Sequence, residues 1–302
     1  MSNRIFWKQQ LEGASGDHLI TVENSAGDHA IGTGLVDASG VQIGTPANPL
    51  PVRDPMMEIS SGNVTGHATV NKFGRNPDVD TATDPEDVWD VGGIWVPPTQ
   101  ARVHNIASTS TADDAGQAGA LTIRVWGLTD WDTAEVSEDI VLNGQTDVAT
   151  VNSYVIIHRM RVLTGTAGAT NVGNITATAV TDGTVTAQIT APFGQTLMAI
   201  YGIPSTQTLC VTQWYIDMNR QSGATASADC ELRVQEDADT GLSPFVVKHH
   251  LGVTSSGNSH VSHKFDPPFR VAGPAMVKAY VENVSANDTD MSAGFDGVLV
   301  DN

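Results

Sequence analysis

Six carboxylates fall within one short stretch, NKFGRNPDVDTATDPEDVWD: Asp78, Asp80, Asp84, Glu86, Asp87 and Asp90. Clustered carboxylate oxygens suit a hard divalent cation such as calcium. An EF-hand loop wants oxygen ligands at positions 1, 3 and 5, Gly at 6 and Glu at 12. Counted from Asp78, positions 5, 6 and 12 hold Ala82, Thr83 and Trp89, so the pattern fails. A looser cation loop on Asp78, Asp80 and Asp84 is one reading. The simpler one is a solvated loop, with Asn76-Pro77 and Asp84-Pro85 starting turns. That loop leads to a first core strand at Trp89, Ile94 and Trp95.

Histidines form the second cluster. VVKHHLGVTSSGNSHVSHKF reads as a hairpin turning near Ser255 to Asn258, which sets His249 or His250 roughly opposite His263. Cross-strand histidines can hold zinc. No third ligand is evident, and packed strand histidines are the simpler reading. Glu135 and Glu138 form an acidic pair of the kind a glycosidase uses, but DTAEVSEDIVLNG reads more simply as a solvated strand face. There is no nucleophile elbow, phosphate loop, HExxH or dinucleotide fingerprint. No catalytic residue and no cofactor is therefore assigned. Trp126, Trp131 and Tyr215 are aromatics suited either to stacking on sugars or to packing between subunits. Cys210 and Cys230 lack metal-type spacing and read as two buried, unbridged thiols on strands either side of QSGATASAD.

The elements that must position these residues are strands. ALTIRVWGL, SYVIIHRMRVL, CVTQWYIDMNR and DCELRVQED all alternate with period two. In SYVIIHRMRVL, His158 shares a face with Tyr154, Ile156 and Met160. In CVTQWYIDMNR, Cys210, Thr212, Trp214, Ile216 and Met218 share a face. Turn clusters such as TAGATNVGN, TDGT and TSSGNS separate the runs, and no stretch gives an amphipathic helix with caps. The expected fold is all-β: a jelly-roll-like antiparallel β-sandwich over residues 66–302. Residues 1–65 lack a periodic apolar run and read as an extended N-terminal arm, with Ile5, Phe6 and Trp7 as its attachment point.

The chain has 302 residues, with 15 Lys and Arg against 34 Asp and Glu, a formal charge of −19. Such a surface repels phosphate backbones, so nucleic acid is not an expected partner. No apolar run reaches membrane-span length, and MSNRIFWKQQLEG carries no secretory signal, so no membrane partner or signal-peptide export is expected.

Three segments resemble virion structural proteins of tailed bacteriophages. They are NKFGRNPDVDTATDPEDVWD followed by Gly92, Gly93 and Trp95, then VWGLTDWDTAEVSEDIVLNGQTDVATVNSYVIIHRMRVLTGTAGATNVGNIT, and LMAIYGIPSTQTLCVTQWYIDMNR. The similarity spans roughly Asn71 to Arg220, with a weaker continuation through FDPPFRVAGPAMVKAYVENVSANDTDMSAGFDGVLVD. It implies membership of a virion assembled in the host cytoplasm and brings no catalytic residues. The expectation is a non-enzymatic capsid-bound decoration or head-associated protein. Its arm would dock on the major capsid protein or another virion protein, and its body would form a homo-oligomer, a trimer being favoured. A tail, collar or fibre component with a receptor- or glycan-binding role is the alternative.

Overall fold

A computed structural model describes residues 20–23, 29–32, 54–220 and 225–302. Ile5, Phe6 and Trp7 lie outside them. The chain divides into two compact units, Met1–Glu58 and Ile59–Asn302. In the first, β1 (Ile20–Glu23) pairs antiparallel with β2 (His29–Gly32). A single helical turn and a half, α1 (Pro55–Ser60), follows. Proline suits its first position, and Asp54 caps it by accepting the Met56 N–H at 2.8 Å.

In the second unit every strand pairing is antiparallel, and one 3-10 turn, Thr166–Gly168, interrupts the strands. Its strands are β3 (His67–Val79), β4 (Glu86–Asp87), β5 (His104–Ser108), β6 (Ala120–Leu128), β7 (Val136–Val141), β8 (Val148–Ala149), β9 (Ile156–Gly165), β10 (Ile175–Ala179), β11 (Val185–Ile189), β12 (Ile200–Ile203), β13 (Gln207–Arg220), β14 (Ser227–Glu236), β15 (Phe245–Thr254), β16 (His260–Ala272), β17 (Ala275–Val284) and β18 (Thr289–Asp301). Where the sequence suggests one sandwich, these strands build two. The host sandwich faces a sheet ordered β16-β13-β18-β3 against one ordered β12-β17-β14-β15, with β4 also on β17. Leu209, Val211, Trp214, Ile216, Leu232, Val277 and Phe295 fill its core. The second sandwich faces β11-β10-β5-β8 against β7-β6-β9 around Ile106, Ile123, Met160 and Ile175.

All of the second sandwich lies between β4 and β12 in the chain. Both of those strands pair with β17, β4 at Tyr280 and Val281, and β12 at Ala275 to Lys278. One strand position of the host is thus interrupted by a whole sandwich. The outgoing and returning chains meet at a neck, where Trp89 bridges Met198 and the Ala199 N–H donates to Val88 O at 2.9 Å. Gly74 of β3 lies under this neck. A Cβ there would come within 2.3 Å of Val88 O and 2.4 Å of Ala199 N. Trp89, Met198, Ile200 and Met276 belong to the second core, so the outer side of the β12–β17 sheet packs on the insertion. That is why β17 is buried at its first seven residues rather than at alternate ones.

Two pairings differ from the sequence reading. QSGATASAD does not close a hairpin: β13 pairs with β16 and β18, while β14 pairs with β15 and β17. β13 also carries a β-bulge at Thr212, the residue skipped between Val211↔Gly297 and Gln213↔Asp296. One extra residue reverses the face of everything before it. Leu209 and Val211 therefore join Trp214 and Ile216 in the core, and Cys210 is only half-buried.

Candidate functional site

The acidic stretch splits into two groups. Glu86, Asp87 and Asp90 are buried, not solvated. Glu86 Oε2 accepts from Asn76 Nδ2 and from the Gly93 N–H, both at 2.7 Å. Asp87 accepts the Trp95 N–H at 2.8 Å and forms an ion pair with Lys278, whose Nζ lies 2.7 Å from Oδ1. Asp90 accepts the Thr190 N–H at 3.2 Å, and burial pushes its carboxyl up to about 6. Trp89 and Trp95 are buried as expected, but in irregular chain, and Ile94 is exposed.

The outer carboxylates do not converge as Asp78, Asp80 and Asp84. Asp84 turns away and accepts the Val284 N–H at 3.0 Å. Its place is taken by Asp288 from the β17–β18 turn, so that Asp78, Asp80 and Asp288 bring carboxylate oxygens within 4.8 Å of one another. Asp80 accepts the Asp288 N–H at 2.8 Å. The exposed Asp78 carboxyl is pushed up by partial desolvation and by the charges of Asp80, Asp288 and Glu86.

His249 and His263 do meet, with ring centroids 4.0 Å apart, but not as hairpin partners. β15 and β16 lie at the edges of opposite sheets, and the rings stack across the opening between them. The Trp214 indole N–H donates to His249 Nδ1 at 3.1 Å, which fixes Nδ1 as an acceptor. Burial, then His263 and His250, push the His249 pKa down. His250 points away, 3.7 Å from Asp229. These groups make a packed aromatic edge with Phe265, and among the described residues no third ligand joins them.

The richest chemistry lies in a cleft of about 400 Å³ where the two sandwiches meet. β3 supplies Asn71 and Lys72, β6 Trp126, the approach to β7 Glu135, β9 His158 and Arg159, and β12 Tyr201. A second β-bulge makes the site. Trp126 pairs with Arg159 and Gly127 with Ile157, so His158 is left over and both it and Ile157 are buried. Bulges re-aim side chains in this way. His158 Nε2 bonds Glu135 Oε2, and Lys72 Nζ donates to the His158 carbonyl. Arg159 Nη2 donates to Asn71 O at 2.7 Å. The Tyr201 ring packs on His158 with centroids 4.5 Å apart.

Burial, reinforced by Arg159, pulls the Lys72 pKa well down. Burial also lowers that of His158, against the pull of Glu135. Burial alone would raise the Glu135 carboxyl. His158, Lys72 and Arg159 outweigh it and hold Glu135 below the usual range. Glu138 does not join: it accepts from the Tyr154 hydroxyl at 2.8 Å and from the Val151 N–H at 2.8 Å. Sequence reasoning placed His158 on an apolar face and passed over Lys72. A histidine and a lysine inside alternating apolar runs were the available signal.

No family model matches the chain, and no curated protein matches it. Among solved structures, the T=1 particle derived from infectious bursal virus is 10% identical over 78% of each chain, at a TM-score of 0.12. The strand order, not this likeness, carries the fold.

Proposed function

We propose that the chain is a non-enzymatic structural component of a tailed-phage virion, built on a jelly-roll host sandwich. The strand order carries this reading. Number β3, the shared β4/β12 position, and β13 to β18 as strands one to eight. The two sheets then run 1-8-3-6 and 2-7-4-5, which supports the double Greek key of a jelly roll. Jelly rolls serve as capsid subunits and as lectins, and fold alone does not choose between them. The resemblance of Asn71 to Arg220 to virion structural proteins favours the first. Residues 1–65 attach the body to the major capsid protein or another virion protein. A second copy covers the open edge between β15 and β16, where Leu251, Val261, Phe265 and Phe269 are only partly buried, and a closed trimer removes such edges.

Purified particles test this reading. A capsid decoration protein is present at hundreds of copies per particle, a fibre-tip protein at tens or fewer. Deletion of residues 1–65 leaves a folded body that no longer joins particles. Full incorporation of the truncated chain would refute the attachment role. The second reading, a tail, collar or fibre component that binds glycans, is favoured by the cleft between the sandwiches.

A further inference from the structure

We propose that the cleft beneath Trp126 is a saccharide site that takes one pyranose ring. The inference stands on the cleft alone and holds whichever part of a particle carries the chain. Its volume, about 400 Å³, lies within the range of small-ligand sites. Its chemistry narrows the ligand. Glu135 commits Oε2 to His158, and its Oε1 has no partner among the described residues. Among the described residues Arg159 commits only Nη2. The Tyr201 hydroxyl, on a residue 7% exposed, has no hydrogen-bond partner among the described residues. An acceptor, a cationic donor and a group that does both thus remain unmet around one half-buried indole.

Each simpler ligand leaves one of these groups in conflict. A phosphate faces the Glu135 carboxylate, and a metal cation faces the Arg159 guanidinium. An apolar molecule strands polar groups at a cost of about 1–3 kcal/mol each. Sugar hydroxyls both donate and accept, and the C–H face of a pyranose suits an aromatic ring. The site is also built in advance. The bulge fixes His158, His158 fixes Glu135, and buried Lys72 locks the His158 backbone, so little freedom is lost on binding.

The test uses the full chain with its tryptophan indoles labelled, titrated with the methyl glycosides of glucose, galactose, N-acetylglucosamine and glucuronic acid. At least one glycoside is expected to bind saturably with a Kd of about 1 mM, the range for one ring. Of the six indole N–H signals, the one lost in Trp126→Phe should move most. Glu135→Gln and Arg159→Met should each weaken binding about tenfold at a temperature where both chains remain fully folded, while Trp131→Ala, outside this cleft, leaves it intact. A preference for the glucuronide that disappears in Arg159→Met assigns an acidic sugar, and equal binding a neutral one. The proposal is overturned if no glycoside gives a saturable shift up to about 50 mM. It is also overturned if the responding indole is not Trp126, or if both charge variants bind as the parent does.

Discussion

Replacing Lys278 with methionine isolates the energetics of the buried ion pair. Lys278 is 4% exposed and Asp87 fully buried, with Nζ 2.7 and 2.9 Å from the two carboxylate oxygens. The Phe245 ring lies 4.3 Å from the ammonium. Methionine keeps the stem and removes the charge, so Asp87 retains only the Trp95 N–H as a donor. Breaking such a pair from one side costs about 3–5 kcal/mol. For a unit of this size each kcal/mol moves the melting point by about 2–4 °C, so Lys278→Met should lower it by roughly 10 °C. The double variant Asp87→Asn, Lys278→Met should recover at least half, because an amide still accepts from Trp95 without needing a cation. Burial already pushes the Asp87 carboxyl up against the pull of Lys278. In the single variant only the Trp95 N–H and the charge of Arg233 still oppose that push, so its deficit should shrink as the pH falls. Thermal and denaturant melts at two pH values measure all of this. A single-variant loss below about 1 kcal/mol, or a double variant as unstable as the single, would refute a compensated buried pair.

Four further outcomes rest on the same packing. Asp90 titrates near 6 when folded, against an ordinary 3.8. Its contribution is therefore present below about pH 4 and lost as pH rises through 6, roughly 3 kcal/mol in all; denaturant midpoints at pH 4.5 and 7.5 should show Asp90→Asn gaining on the parent at the higher pH. Gly74→Ala forces a Cβ against the neck backbone and should destabilise by about 3 kcal/mol in urea melts, whereas Gly257→Ala, whose Cβ would meet only Thr254 Cγ2 at 3.6 Å, should cost far less; an equal loss at both would refute the steric account. Asp288→Asn relieves the three-carboxylate cluster and should raise stability by about 0.5 kcal/mol in calcium-free buffer; a loss on chelation in the parent would instead mark an occupied cation site. Two free thiols should titrate per denatured, unreduced chain, and in the native state half-buried Cys210 should react well before Cys230, whose thiol burial pushes up.

Period-two alternation made the strands legible, because half-buried sheets impose it directly. It could not show the bulges at Thr212 and His158, since a bulge leaves no mark except an apolar pattern that changes phase. That is why Cys210 was read as buried and His158 as ordinary core. Sheet membership was also hidden. A turn between two strands reads the same whether the chain returns within one sheet or crosses to the facing one, as it does from β13 to β14 and from β15 to β16. The carboxylates Glu86, Asp87 and Asp90 looked solvated because their partners, Asn76, Lys278 and Thr190, lie far off in sequence or come from no recognisable motif. The cleft depends on contacts between two sandwiches, and local pattern carries no trace of those.

The neck joining the sandwiches makes the insertion a covalent staple for its host. About 108 residues separate Trp89 from Met198. While the insertion is folded, those ends are delivered side by side, and β4 and β12 reach β17 with no loop left to close. If the insertion unfolds, the host must hold together the ends of a flexible loop of that length, at a cost of roughly 4 kcal/mol in chain entropy. The host sandwich therefore senses the folding of the inserted one without any change in its own contacts. A short turn engineered in place of the insertion would confer the same advantage permanently, leaving the outer sandwich free to be exchanged as a module.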